Sequence, residues 1–258
     1  DSDSAGAWGW LWARALDLPF VELAPGPTLG DRATVVAGFR DQYYGLVDTV
    51  REHSSDDDGR GAPLITSGAV DWAANAWGDR PTRYAKRRWT APVVDLGRLA
   101  EAPAIARRWV ERTRAPKLVV ATQTRVVEAA VDVGGTWVPS VPTLAVMPAD
   151  AGDLWHLAAA VLSPAATAWF ARRSAGTGLD RGALKVAGPD LSALPLPGDA
   201  TAWDAAASAL KEFVAAPDRV SLDVYLDAAA TAYDVGPAVT AWWRDRAGSA
   251  VRTGVTSD

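Results

Sequence analysis

Apolar residues follow two different periods along this chain of 258 residues. Between Pro116 and Pro148 they fall in short β-rich runs, Leu118 to Ala121, Val126 to Val131, Trp137-Val138 and Leu144 to Met147. Short apolar runs bounded by polar or glycine corners read as strands. A polar corner, Thr122-Gln123-Thr124-Arg125, separates the first two runs, and the second reaches Gly134-Gly135. Two adjacent glycines allow the positive φ angles of a tight reversal. The expectation is a hairpin that turns at these glycines and returns through Trp137 to Met147, with Gln123, Thr124 and Arg125 displayed together on a rigid sheet.

Elsewhere the period is helical. Arg98 to Arg114 places Leu99, Ile105, Trp109 and Val110 inward and arginines outward, with an interruption near Pro103. Asp153 is a predicted N-cap for a helix carrying Leu154, Leu157, Ala158, Val161 and Leu162. Ser163-Pro164 supplies a cap and a first-position proline for the next helix, which ends near Gly176. Beyond Pro197 three more helices are expected: one opened by a Thr201 to Asp204 capping box, one capped by Ser221 and one opened by Pro237. Ahead of the sheet, Trp8, Trp10, Leu11, Trp12, Leu16 and Leu18 suit an amphipathic helix followed by a Pro-rich connector. The expected fold class is therefore α+β, a mixed twisted sheet with flanking helices and a small C-terminal helical module.

Composition narrows the chemistry. A hydrophobic content of 49% with 22% charged residues is that of a chain that folds. No run approaches the length of a membrane span and the first ten residues lack the basic region of a signal peptide, so a soluble, cytoplasmic protein is expected, with no membrane partner. With no cysteine and only His53 and His156, neither a disulfide framework nor a usual zinc site is available. Asp56-Asp57-Asp58 is read as a solvated turn, because consecutive carboxylates do not converge on one ion.

The net charge of −5 hides a strong polarity. Twelve Lys and Arg face four acids between Trp72 and Arg125, a surplus of eight that leaves the remainder at −13. Such polarisation suits a protein with one nucleic-acid face, although pairing with acids elsewhere in three dimensions gives the same totals. Within the segment, Arg80, Arg83, Lys86, Arg87 and Arg88 alternate with Tyr84 and Trp89, a mixture suited to phosphate contact and stacking or to a solvated basic face. Arg40, Gln42, Tyr43 and Tyr44 crowd a loop ended by Gly45 and suit phosphate, base-edge and sugar contacts, or equally a solvated loop with one tyrosine packed inward. Gln123, Thr124 and Arg125 carry the donors and acceptors that read base edges.

Several motifs recur in a fixed order. They are Leu29-Gly30-Asp31 with Gly38-Phe39, Pro63-Leu64-Ile65, the Lys117 to Val120 strand with its Gln-Thr corner, and the strand ending in Asp132 before the glycines. Leu162-Ser163-Pro164, the loop Ser174 to Gly178, the strand Leu184-Lys185-Val186 and the exit Leu194-Pro195-Leu196-Pro197 follow. Together these resemble the C-terminal target-recognition domain of adenine-specific DNA methyltransferases, the N-6 DNA methylases of the fused restriction-methylation type. The resemblance covers roughly Thr28 to Pro197.

It implies a connector from a catalytic domain at 1–27, a target-recognition domain at 28–198, a helical module at 199–246 and a flexible tail at 247–258. It implies double-stranded DNA as partner, in a restriction-modification or phage-defence setting. Base reading would fall to Gln123, Thr124 and Arg125 and to the loop of Arg40, Gln42, Tyr43 and Tyr44. Phosphate contact would fall to Arg80, Arg83, Lys86, Arg87, Arg88, Lys117, Arg172, Arg173, Thr177 and Lys185. The Gly-rich loop that holds S-adenosylmethionine and the Asn-Pro-Pro-Tyr type motif are missing. The chain is therefore expected to do no chemistry alone and to bind no cofactor, with a methyltransferase catalytic domain in cis or in trans. The alternative is a protein-interaction or carbohydrate-binding module, for which thirteen tryptophans are the argument.

Overall fold

The computed structural model describes residues 18–56, 59–174 and 183–251. The helix expected over Trp8 to Leu16, Asp57-Asp58, Thr177 with its loop and the tail from 252 onward lie outside the described residues. The chain begins with α1 (Leu29–Arg32), β1 (Ala33–Ala37), α2 (Arg40–Gly45), β2 (Val50–Glu52) and β3 (Gly61–Ile65). Two short hairpins follow, β4 (Val70–Asp71) with β5 (Ala74–Asn75) and β6 (Thr82–Tyr84) with β7 (Arg87–Trp89). Then come β8 (Pro92–Asp95), α3 (Ala104–Thr113), β9 (Lys117–Val120), β10 (Gln123–Thr124), β11 (Ala129–Asp132), β12 (Val138–Pro139) and β13 (Leu144–Pro148). The last part is helical, α4 (Leu154–Val161), α5 (Pro164–Arg173), α6 (Gly188–Ser192), α7 (Ala200–Ala215), α8 (Arg219–Ala232) and α9 (Pro237–Ala247), interrupted by β14 (Leu184–Lys185). The fold is α+β.

Two four-stranded sheets organise it. The central sheet runs β1-β13-β9-β11, all antiparallel, and the second runs β12-β3-β8-β2. Successive residues of a strand point to opposite faces, and the core sorts accordingly. Leu118, Val120, Ala129, Leu144 and Val146 point into a large core shared with α4 to α9. Val119 and Ala130 face the other way and meet Ile65 and Val70, while Ala145 and Val36 meet Leu64, Val94 and Trp109. The result is three layers, with helices on one face of the central sheet and the second sheet on the other. Trp72, in the turn between β4 and β5, crosses into the helical layer: its indole donates to the Leu162 carbonyl at 2.9 Å and its ring meets Phe213, Tyr225 and Trp243. The helices beyond Gly198 thus share a core with the central sheet.

The glycine turn does something other than the expected hairpin. Strand β11 pairs with β9, and β13 pairs with the opposite edge of β9, so Gly134-Gly135 does not join paired strands. Instead it throws the chain across to the second sheet, where Val138 and Pro139 lie parallel to Leu64 and Ile65. Gly135 has φ +63, and a Cβ there would meet the Ala115 carbonyl carbon at 2.5 Å, so both backbone conformation and space require glycine.

Lys117 and Asp132 are register partners across β9 and β11, form an ion pair and are 0% and 2% exposed. Asp132 also accepts the Thr136 N–H at 3.1 Å and the Trp137 N–H at 2.9 Å, which fixes the turn. This overturns the expectation that Lys117 touches phosphate, since its ammonium is sealed inside the sheet. Burial pushes that ammonium's pKa down and Asp132 opposes the push. Removing one member of a buried pair leaves an uncompensated charge, so Asp132→Ala should lose about 3–5 kcal/mol of stability in urea titrations. The double change Lys117→Met with Asp132→Leu should recover only part of it, because the two turn N–H groups still lack an acceptor.

Candidate nucleic-acid interface

Strand registers place three predicted regions at one end of the molecule. Ala37 pairs with Leu144, Leu144 with Val120 and Val120 with Ala129, so these four residues form one row across the central sheet. Helix α2 leaves β1 just beyond that row, and the Thr122 to Arg125 corner leaves β9 just beyond it. Two strand spacings separate the starting points, about 10 Å. Ile65 is at the same end, since it pairs with Pro139 and accepts the Ser140 N–H at 2.7 Å. The next residue, Thr66, hydrogen-bonds the Thr82 hydroxyl and roots the β6–β7 hairpin there.

That hairpin is joined to α2 through two tyrosines. Tyr84 is buried, its hydroxyl donates to the Tyr43 carbonyl at 2.5 Å, and the Tyr43 hydroxyl accepts the Ala85 N–H at 2.7 Å. Burial pushes the Tyr84 phenol far above its ordinary value. Ala85 and Lys86 form the tip, with φ +49 and +64. Positive φ at both central residues is the twist a two-residue hairpin needs, here adopted without glycine or asparagine and hence under strain. Arg83, Lys86, Arg87 and Arg88 are exposed, and among the described residues none of them forms an ion pair. Arg83 and Arg88 stand directly opposite each other. Like charges in that arrangement destabilise a ribbon unless an anion lies between them. Arg87 packs its guanidinium 5.1 Å from the Trp89 ring.

Helix α2 contributes Phe39 and Tyr44, 69% and 58% exposed, and Arg40, whose guanidinium lies 5.4 Å from the Tyr44 ring. Exposed aromatics next to cations form a stacking surface. Gln42 and Tyr43 serve structure instead: the Gln42 carboxamide accepts the Phe39 N–H at 2.9 Å and caps the helix, and Tyr43 is the hairpin's anchor. Arg80 is likewise withdrawn, bonded to Asp71 at 2.7 Å and to the Gly68 carbonyl at 2.9 Å.

The corner is a two-stranded ribbon. Gln123 pairs with Lys185 and Thr124 with Leu184, while the Val186 N–H donates to the Thr122 carbonyl at 2.9 Å. Gln123, Arg125 and Lys185 are exposed. Thr124 is turned inward and donates its hydroxyl to the Val126 carbonyl, so it does not stand beside Gln123 as expected. Three neighbours hold the corner: Glu128 accepts the Ala121 N–H at 3.0 Å, Thr167 of α5 accepts the Val127 N–H at 3.2 Å, and Arg246 of α9 donates to the Arg125 carbonyl at 2.5 Å. Arg246, stacked over Trp242, carries no signal in the sequence that would have tied it to Arg125. Arg172 and Arg173 stack over Phe20 and Trp169, and Arg173 lies 3.8 Å from Asp190.

Other concavities are less one-sided. One of about 510 Å³, lined by Arg51, Asp56, Arg60, Asp95 and Arg98, lies at the Gly61 end of β3, away from Ile65, and mixes both signs of charge. Among the described residues no group of three or more His, Asp or Glu side chains is placed to hold a metal ion, and no single helix is long and apolar enough to cross a membrane. No protein-family model matches the chain, and no curated protein matches it.

One carboxylate lies at the foot of this end. Burial pushes Glu128 up from 4.5 to about 7, the Asp71 charge adds to the rise and Arg80 opposes it. In the window between those two values the folded protein holds a proton that the unfolded chain has released, so this group's stabilising contribution is full below about pH 4.5 and is lost as pH rises through about 7. Thermal melts across pH 5 to 8 should show Glu128→Gln gaining stability relative to wild type as pH increases, with little difference at the acid end.

Proposed function

We propose that this chain is a double-stranded DNA recognition domain, the specificity portion of an adenine-specific DNA methyltransferase of the restriction-modification or phage-defence kind. The observation that carries the reading is convergence: an uncompensated cationic hairpin, an exposed aromatic-cation helix and a ribbon bearing Gln123, Arg125 and Lys185 all emerge at one end of two packed sheets. Arg83, Lys86, Arg87, Arg88 and Arg40 take phosphates, which position the duplex without reading sequence. Gln123 and Arg125 read base edges from the major groove. The ordered motifs from Leu29 to Pro197 support the methyltransferase context.

Methyl transfer then belongs to a partner catalytic domain, in cis or in trans, which holds S-adenosylmethionine. The Gly134-Gly135 turn leads from one strand into another and opens no helix N-terminus. A tryptophan-based sugar platform is disfavoured by packing: each tryptophan among the described residues is buried or half-buried, and the exposed aromatics are Phe20, Phe39 and Tyr44.

Salt-titrated binding to duplex DNA tests the reading. About six phosphate contacts predict a loss of roughly a thousandfold in affinity between 50 and 200 mM salt. Arg87→Ala should weaken all duplexes alike and lower the salt slope by about one contact, whereas Arg125→Ala should relax sequence choice. Binding that ignores salt would remove the proposal.

A further inference from the structure

The β10–β14 ribbon carries more than its separate residues suggested. Resting on the DNA reading above, we infer that Lys185 is a base-reading residue that acts as one row with Gln123 and Arg125, and that this row selects an adenine beside guanines. The alternation of burial sets up the row. Leu184 and Val186 are 2% and 1% exposed while Lys185 between them is open, and Gln123 and Arg125 are open on either side of the inward Thr124. Gln123 and Lys185 are direct cross-strand partners. Their Cβ atoms therefore lie about 5 Å apart on the same face. Arg125, one residue beyond the end of β10, is exposed beside them.

A two-stranded ribbon fits the major groove, and neighbouring base pairs are stacked about 3.4 Å apart. Side chains at this spacing meet consecutive or next-but-one base pairs. Their chemistry then assigns the bases. A carboxamide pairs with the N6 and N7 edge of adenine, and a Lys ammonium or Arg guanidinium with the O6 and N7 edge of guanine. The row is stiffened at its backbone. The Lys185 carbonyl accepts the Ser174 hydroxyl at 3.1 Å, and the Arg125 carbonyl accepts from Arg246 at 2.5 Å. Such fixed backbone favours readout over loose charge attraction, because it holds each side chain against one base.

Selection from randomised duplexes, with wild type, Gln123→Ala, Lys185→Ala and Lys185→Gln, tests the inference. Wild type should enrich an adenine flanked by guanine. Lys185→Ala should erase preference at one guanine position, lowering discrimination there by about 5- to 100-fold, with affinity for unrelated duplexes reduced far less. Lys185→Gln should move that position towards adenine, which a phosphate contact would not do, and Gln123→Ala should erase the adenine. Uniform weakening of every duplex by Lys185→Ala with an unchanged selected sequence would overturn the inference and leave the DNA-binding proposal standing. Wild-type binding without sequence preference would do the same, and absence of salt-dependent duplex binding would overturn both.

Discussion

A single ion pair fixes the arrangement on which the rest depends. Lys117 opens β9 and Asp132 closes β11, and their pairing across the ladder sets the register of the edge strand β11 on the inner strand β9 of the central sheet. A slip of one residue would turn Leu118 and Val120 from the helical core to the opposite face, so register here is also core composition. Hydrophobic pattern already opposes such a slip, and the buried pair adds a polar condition: any other register leaves a charge without its partner in a place water does not reach. Asp132 also takes the turn amides of Thr136 and Trp137, so the residue that pins the register aims the chain at the second sheet. The Val120 and Ala129 end of the row follows from that register, and the β1–β13 and β13–β9 ladders extend it through Leu144 to Ala37.

What the sequence displayed and what it concealed divide along physical lines. Helices carried by local signals were legible: Ser163 caps α5 by accepting the Ala166 N–H at 3.0 Å with Pro164 behind it, and Pro237 opens α9. Caps slid by a few residues where more than one capping side chain was on offer. Asp199 rather than Thr201 caps α7, and Asp218 caps α8 with Ser221 as its reciprocal partner. The strands around the corner were visible as apolar runs, but their order was not, because two glycines look alike whether they fold a strand back or pass the chain to another sheet. The β6–β7 turn was hidden for a different reason. Ala85 and Lys86 hold positive φ without the residues that normally announce it, so the only local mark was a basic run. Lys117 counted as a surface cation by residue type, and its burial rests on Asp132, fifteen positions away.

The candidate site separates into supports and presenters by hydrogen bonding. Tyr43, Tyr84, Gln42, Thr124 and Arg80 all have a polar atom engaged with backbone or a carboxylate. Arg83, Lys86, Arg87, Arg88, Gln123, Arg125 and Lys185 are exposed, and apart from the stacking of Arg87 on Trp89 they lack such anchors among the described residues. Residue type alone does not make this division, since arginine and tyrosine occur in both groups. For Tyr84 and Thr124 it comes from strand alternation, and for Gln42, Tyr43 and Arg80 from the partners their helix and turn bring within reach.

Strain and repulsion gather in the β6–β7 hairpin. Two non-glycine residues at positive φ and a directly opposed arginine pair each work against a ribbon that is only three residues long on either side. The Tyr43 and Tyr84 contacts and the buried Trp89 hold it in place against those terms. A hairpin needed only to cover the second sheet would be more stable with Asn-Gly at its tip and an acid facing an arginine. A polyanion laid along it would reverse the sign of the repulsive term, because a phosphate between Arg83 and Arg88 is attracted by both. The same arrangement that weakens the free protein would therefore strengthen a complex with such a polyanion, and the tyrosine anchors hold the hairpin at the end of the molecule where the Gln123 ribbon emerges.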